Sequence, residues 1–448
     1  MTIAAGLAAF CTKTRMTALP PEVEARALLC LADHLHAALH GARSETGDRL
    51  RRYLASNGAT SSPPQAELLA LLLGAASTVH EIDDVHQDTS MHPGSVVVST
   101  ALACLTDAPT SGRLLLAAVA VGYEVGIRLS IAAGERHYHY FHATATCGTF
   151  AAAAVASILY GLNEEETAHA LGAAATSASG LWEDINNSAT GIKHLHSGFA
   201  AERGIRAAKL ARLGLRSARQ SIEGSKGFLA ATARPGDFAP GEKALDGAEL
   251  RHILLDGLGD RWTILRNIFK RYPFCLACFE PLEGIREIVG RSRLSKDEIR
   301  SVTLDMYPPS ASLVEQSNPR DQLQAKFSAP FAMALVLAGR DPENVLLPVA
   351  WLDDPAVRRW YPSIEVHSNP SIPRRHARVT VGWSDGSEES ADRPLSNLDE
   401  AEVWSRFSMT CRQHLGNAGD RAENIIRGFA SLSDAREALA TVRPMIGL

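Results

Sequence analysis

Through most of the first half of the chain, apolar residues recur at three- and four-residue intervals, the spacing that gathers them on one face of a helix. Glu22 to Leu39 follows this pattern and ends near His40-Gly41. Pro64 to Val79 repeats it behind a Pro-Pro start signal, and Val97 to Leu105 and Arg113 to Ala132 come next. A joint is written at Gly161-Leu162-Asn163-Glu164-Glu165-Glu166. Gly161 can take the left-handed conformation that closes a helix, Asn163 can cap the next, and Glu166 stands three residues on, where a capping box needs a carboxylate. The helices flanking the joint, Thr146 to Tyr160 and Glu165 to Ser179, are rich in Ala, Gly, Ser and Thr. Small side chains let helix axes approach closely, so both belong at the centre of a helical domain. Lys193 to Leu213 makes a further helix with Gly214 as its stop.

The pattern changes after about Trp262. Ser295-Lys296-Asp297-Glu298 is a capping-box pattern, but Val302 to Tyr307 then reads as a short strand. Gln322 to Ala338 reads as one helix. Ile364 to His367 and Val379 to Trp383 alternate like strands, and Ser384-Asp385-Gly386-Ser387 is a hairpin turn leading into Glu388 to Ala391. From Asp399 the helical spacing returns through Phe407, Ile425 and Leu439. The expectation is a mainly α protein. A large all-helical domain comes from both chain ends, residues 1–265 and 400–448, and 266–399 form an inserted, smaller α+β lid. No internal repeat or low-complexity tract interrupts this plan.

Composition sharpens it. A chain of 448 residues with 46% apolar and 21% charged residues is globular and long enough for two domains. Low aromatic content with abundant alanine suits close-packed helices. A net charge of −5 gives no electrostatic reason to expect nucleic acid or an acidic membrane surface. The uncharged stretch from Ala143 to Leu162 is dominated by small residues and includes Thr144, Thr146 and Thr149, so it reads as a buried core helix and not a membrane span. Seven cysteines without a framework spacing, and no signal-peptide pattern, read as reduced thiols in a cytoplasmic protein.

Three polar clusters can carry chemistry. His80-Glu81-Ile82-Asp83-Asp84-Val85-His86-Gln87-Asp88, followed by His92-Pro93-Gly94, begins where the second helix ends. If that helix continues, His80, Asp83 and Asp84 share one face. A solvated helix end, a metal site and an acid/base pair all remain open from this spacing, although it matches no recognised metal pattern. The second cluster, Arg136-His137-Tyr138-His139-Tyr140-Phe141-His142, directly precedes the small-residue helix, whose N-terminus favours anions. A polar loop packed on the core is the alternative. Lys193-His194-Leu195-His196-Ser197-Gly198 opens a helix, where a lysine either binds a carboxylate as a point charge or lies exposed in the first turn. Cys275-x-x-Cys278 lacks a second half-site and reads as two incidental thiols.

With these clusters come further stretches in a recognisable order: Leu31-Ala32-Asp33, Gly122-Tyr123-Glu124-Val125, Gly161-Leu162, Ala178-Ser179-Gly180-Leu181, Glu223-Gly224 with Gly227-Phe228, Tyr272-Pro273 and Ala325-Lys326-Phe327-Ser328. Together they make the chain resemble the MmgE/PrpD family, which includes 2-methylcitrate dehydratase, cis-aconitate decarboxylase and iminodisuccinate epimerase. The resemblance implies a helical domain with an inserted lid, an active site between them, a homodimer, a small di- or tricarboxylate substrate, and no metal or organic cofactor. Asp83 and His92 match the polar positions of the family's Asp-rich motif, His142 the histidine after the His-Tyr element, and Lys193 the carboxylate-binding lysine.

Certain departures bear on the substrate. The dehydratase and decarboxylase branches read D-F-D-D-T where this chain has Asp83-Asp84-Val85-His86-Gln87, and the spacing to His92 is one residue shorter. The decarboxylase-like branch carries histidine at the position of Cys275 and tyrosine at that of Phe331. Losing a proton donor and a phenol moves the epimerase branch forward. The reading from sequence is therefore an isomerase inverting a carbon next to a carboxylate, with iminodisuccinate as example, ahead of a dehydratase and a decarboxylase. The candidate catalytic groups are His142, Asp83, His80 and His92; the candidate substrate-binding groups are Lys193, Tyr138, Arg136, His86 and Cys275. A helical dimeric binding protein is the non-enzyme alternative, and it predicts that these residues scatter over the surface instead of converging.

Overall fold

The computed structural model describes residues 1–56, 65–183, 191–232 and 245–443. It is mostly helical with a small β-containing insertion. The central helices are Ala66–Thr78, Pro93–Cys104, Ala143–Leu159, Glu164–Ser177 and Ile192–Arg212, packed against one another and against Pro21–Gly41 and Gly112–Tyr140. The Pro-Pro start signal ahead of Ala66 lies outside the described residues. The joint between the two small-residue helices forms as its chemistry dictates. Gly161 has φ +73°, and Asn163 and Glu166 close a reciprocal capping box at 2.9 Å in both directions. Glycine permits the closest approach. A Cβ on Gly198 would stand 2.4 Å from the carbonyl oxygen of Leu71, so an alanine there would force the Ile192 and Ala66 helices apart.

Ala143–Leu159 is not the only apolar helix; Gly112–Tyr140 is long and apolar enough to cross a membrane, and 89% of its most apolar stretch is buried in the protein. It runs past the expected end at Ala132 because a second short helical piece follows Gly134, whose φ of +73° breaks the axis. That piece carries His137 and Tyr138.

The insertion holds a four-stranded sheet. Its strands are β3 (Ile299–Met306), β4 (Ile364–Ser368), β5 (His376–Trp383) and β6 (Glu388–Pro394), in the order β4-β3-β5-β6. β3 and β4 are parallel and the other pairs antiparallel. Val302, Leu304 and Met306 alternate inward with Val379, Val381 and Trp383, and the Phe279–Arg291 helix contributes Ile285 and Ile288 to the same core. The expected helix from Gln322 to Ala338 is in fact two, Gln322–Lys326 and Ala329–Leu337. Ser328 breaks it: its hydroxyl accepts from the Phe331 N–H at 3.0 Å as an N-cap, and Pro330 starts the second helix where no amide donor is needed.

Two crossings join the insertion to the helices. β1 (Val85–His86) pairs antiparallel with β2 (Asn267–Ile268), so Val85 joins the core of the insertion. On the return, the Phe269 amide donates to Asn397 Oδ1 at 2.8 Å. The Glu400–Leu415 helix then packs on Pro21–Gly41, placing Val403, Trp404 and Phe407 in the helical core. Arg406 of that helix donates to the carbonyls of Lys270 and Arg271, at 2.8 and 2.7 Å, fixing the irregular segment that enters the lid.

Candidate active site

The Ala66 helix stops at Thr78 and does not carry on through His80–Asp84. Glu81 takes a left-handed φ of +57°, which turns the chain and aims successive side chains differently from a helical face. Asp83 and Asp84 then meet different partners. Asp84 is a structural hub: it accepts from Gly94 N at 2.9 Å, from Asn267 Nδ2 at 2.6 Å and from the Tyr123 hydroxyl. Burial pushes its carboxyl up to about 6 against those donated bonds. A Cβ on Gly94 would stand 2.7 Å from both Asp84 Oδ1 and the Tyr123 oxygen, which is why glycine follows His92-Pro93.

Asp83 faces the other way. Its Oδ2 lies 3.1 Å from His92 Nδ1, and Oδ1 makes no hydrogen bond to a described residue, with Lys270 Nζ 3.9 Å off. Burial would raise this carboxyl, but His92 and Lys270 more than offset that and hold it below the ordinary value. His92 is placed at the N-cap of Pro93–Cys104, with its amide donating to Thr144 Oγ1 at 3.0 Å.

His142 caps the neighbouring Ala143–Leu159 helix. Its Nδ1 is 3.1 Å from His196 Nδ1, so one ring donates and the other accepts. Burial, His196 and His92 push the His142 pKa well down, leaving a neutral imidazole. The rings of His92 and His142 are 6.1 Å apart, and Trp182 packs 5.5 Å from His142 and 5.0 Å from Tyr138.

Opposite these acid/base groups stand three buried lysines. Lys193, in the first turn of Ile192–Arg212, is 4% exposed, not a solvated first-turn residue. Its ammonium contacts the Glu81 carboxylate and lies 5.2 Å from the Phe327 ring. Lys270 donates to the Glu81 carbonyl at 3.1 Å and stands 3.4 Å from Glu81 Oε2. Lys326 donates to the Val79 carbonyl at 2.7 Å. Burial depresses all three; Lys270 and Lys326 add to the effect on Lys193, and Lys326 is brought down to about 7.

His80 and His194 border the same lysines, and burial holds both rings far below the ordinary histidine value. Cys275 belongs to the lid wall: its amide donates to the Lys326 carbonyl at 2.7 Å, and burial pushes its thiol up while Lys270 and Lys193 pull it down. Tyr138 reaches the same wall beside Cys275 and Arg375. His86 lies in the β1–β2 crossing, buried, with its Nδ1 accepting from Asp88 N at 3.4 Å. Arg136 is on the half-exposed turn after Gly134, its guanidinium 5.7 Å from the Tyr140 ring and away from the lysines. Among the described residues, no group of three His, Cys, Asp or Glu is disposed to hold a metal ion.

The comparisons with known proteins agree with this architecture. Residues 5–240 match the MmgE/PrpD N-terminal domain, and residues 272–430 match the MmgE/PrpD C-terminal domain. The chain belongs to the MmgE/PrpD family. Similar curated proteins include a cis-aconitate decarboxylase of Aspergillus terreus, 26% identical with 79% of this chain and 76% of that protein covered. The cis-aconitate decarboxylase of Homo sapiens is 29% identical, with 82% of this chain and 77% of that protein covered. That of Mus musculus is 27% identical over 84% of this chain and 78% of that protein.

Several MmgE/PrpD motifs gain a physical role. Tyr123 and Glu124 act at the base of the site, Tyr123 holding Asp84 and Glu124 accepting from Thr263 N and Oγ1 at 2.7 and 2.8 Å where the chain leaves for the lid. Sequence reasoning assigned no role to Glu81, Lys270, Lys326 or His196. A signal existed for the lysines: Lys326 sits inside the Ala325-Lys326-Phe327-Ser328 motif and Lys270 two residues before Tyr272-Pro273.

Proposed function

We propose that this protein is a lyase that removes carboxylate or hydroxyl from a small di- or tricarboxylate of the cis-aconitate kind. The observation that carries the reading is the convergence of Lys193, Lys270 and Lys326 opposite the Asp83–His92 and His142–His196 pairs, within one buried site. Three ammonium groups suit a substrate with two or three carboxylates. They also stabilise negative charge as it develops on a carbon beside a carboxylate, and do so more strongly in a dry site than in water.

In decarboxylation, the bond from carbon to one carboxylate breaks, carbon dioxide leaves, and the electron pair stays on the carbon, spread towards a remaining carboxylate held by a lysine. A histidine delivers a proton to the substrate carbon skeleton and recovers one from solvent. His142 and His92 approach from different helix ends; His92, beside the Asp83 carboxylate, is the candidate donor, and the neutral ring of His142 is placed to accept a proton. In dehydration, one member removes a proton and the other protonates the departing hydroxyl.

The similarity to cis-aconitate decarboxylases over most of their length supports placing lyase chemistry ahead of epimerisation, reversing the order drawn from the sequence. Epimerisation remains the second reading because Cys275 and Phe331 stand where the decarboxylase branch carries histidine and tyrosine. It would use the two histidine pairs on opposite faces of one carbon. The test is a panel assay in D2O with cis-aconitate, 2-methylcitrate and iminodisuccinate. The proposal expects carbon dioxide or an alkene from one of the first two. Deuterium exchange into iminodisuccinate alone would instead favour the epimerase, and no turnover of any of the three would overturn both.

A further inference from the structure

Apart from the buried site, the seam between lid and helical domain opens into a groove of about 520 Å³. Four arginines line it from three segments: Arg26 from Pro21–Gly41, Arg266 from the short 3-10 helix Thr263–Arg266 just before β2, and Arg374 and Arg375 from the turn before β5. Asp88 is the one carboxylate in that lining.

The guanidinium groups are held in place but largely uncancelled. Arg26 donates to the carbonyls of Leu265 and Asn267, at 3.3 and 2.8 Å, and stacks 4.6 Å over Phe269. Arg375 donates to the Gln87 carbonyl at 3.2 Å and to Ser90 Oγ at 2.8 Å, spanning the seam. Arg266 meets Asp88 at 2.9 Å. Among the described residues, Arg26, Arg374 and Arg375 have no carboxylate within 4 Å. Like charges are thus brought together across a domain boundary with one counter-ion, an arrangement that costs free energy unless an anion joins it. The backbone adds a second sign. Arg375 and its partner Ser90 both have left-handed φ, +64° and +58°, a strained conformation for residues other than glycine that gathers at functional sites.

We propose that this groove is a second anion site, taking a small polyanion with two or more acidic oxygens, a polycarboxylate or a phosphate. Its oxygens would bridge Arg26 and Arg266 on the helical side with Arg374 and Arg375 on the lid side, where planar guanidinium forks match carboxylate and phosphate geometry. A ligand that touches both sides favours the closed seam over the open one. Arg375 is shared with the buried site, since its charge bears on Tyr138, Cys275 and Glu280 beyond it.

The test is calorimetric titration of the Lys193→Met chain, whose buried site lacks one of its three lysines, with tricarballylate and separately with inorganic phosphate. The result expected is one equivalent bound per chain, weakened at least tenfold by adding Arg374→Glu. Arg374 is exposed and makes no described ion pair, so the fold should tolerate the change. Binding of tricarballylate alone assigns the site to carboxylates, and binding of both assigns it to polyanions in general. A second measurement does not need Lys193→Met to fold: the chain carrying Arg374→Glu alone should lose one equivalent of tricarballylate relative to the unaltered protein. Absence of binding at millimolar ligand, or affinity that Arg374→Glu leaves within twofold, would overturn the proposal, and neither outcome depends on turnover.

Discussion

Replacing Lys193 by methionine keeps the stem and removes the charge. The ammonium is buried, touches Glu81 and faces Lys270 and Lys326, so its removal has two separable effects. The first is on catalysis. A charge-assisted contact made in the transition state is worth roughly 2–4 kcal/mol, so kcat/KM should fall by about 30- to 1000-fold. The second is on stability. A buried carboxylate stripped of its partner costs about 3–5 kcal/mol. Glu81 keeps Lys270 at 3.4 Å, so the loss here should be nearer 1–3 kcal/mol, an order-of-magnitude figure. Steady-state kinetics on the productive substrate, with thermal unfolding alongside, resolves the two. Lys193→Met combined with Glu81→Gln should recover most of the stability and none of the activity. A folded Lys193→Met protein with near-native kcat/KM would refute the argument and leave Lys270 and Lys326 as the carboxylate anchors.

Because burial and Lys270 bring Lys326 down to about 7, its cation is lost as pH rises through that value, and kcat/KM for an anionic substrate should fall above about pH 7. Lys326→Arg should carry the falling limb to higher pH in a pH–rate profile; an unmoved limb would rule Lys326 out as its source. Burial holds His34 and His194 to about 3 and His40 to about 4, so the unfolded chain binds more protons than the folded one between about pH 6.5 and about pH 4. Stability should therefore drop as pH falls through that window, by up to about 1.4 kcal/mol per pH unit for each histidine, with Asp84 opposing as one raised carboxyl. A thermal midpoint at pH 5 equal to that at pH 7.5 would contradict this. Gly94→Ala should cost about 1–3 kcal/mol by chemical denaturation, because its Cβ drives into Asp84 and Tyr123. Cys275→His should raise carbon dioxide release from cis-aconitate if the missing proton donor is what limits decarboxylation, and a lowered or unchanged rate would count against that role.

The helical half was legible because its signals are local. A 3.6-residue apolar period and a capping box at Asn163 need no distant partner, and the structure forms both where the sequence writes them. Two elements were misjudged for reasons that are also local but subtler. The Gln322–Ala338 stretch is apolar at helical spacing throughout, and only the hydroxyl of Ser328 competing for the Phe331 amide splits it. The His80–Asp84 run scans as a continued helix until the left-handed turn at Glu81, and no glycine marks that turn. The cation cluster was less legible because it is assembled across the seam. Lys193 arrives on a helix, Lys270 in the irregular segment after β2, and Lys326 at the end of a short lid helix, so spacing along the chain says nothing of their meeting. Arg136 shows the converse: a cation within a suggestive cluster that folding turns towards Tyr140.

The way the two walls divide the work bears on how one fold can host several reactions. Asp83, His92, His142, His196 and Lys193 are all carried by the helical wall, three of them at or near helix N-termini, where the His92 amide donates to Thr144 and the His142 amide to the Gly180 carbonyl. Under the proposed function that wall would supply what dehydration, decarboxylation and epimerisation share, an anchored carboxylate and a pair of proton-transfer groups. The lid supplies Lys270, Cys275 and Lys326 from a segment that is not regular helix or strand for most of its length between Ile268 and Phe279, and from the break at Phe327-Ser328. Irregular backbone can place a changed side chain without disturbing a ladder of hydrogen bonds, although a replacement at buried Cys275 has also to fit the core of the insertion. Reaction type should accordingly be set on the lid side and substrate charge on both. Exchanging lid residues should then change which product forms, while exchanging Lys193 or Asp83 should lower the rate of whichever reaction the lid selects.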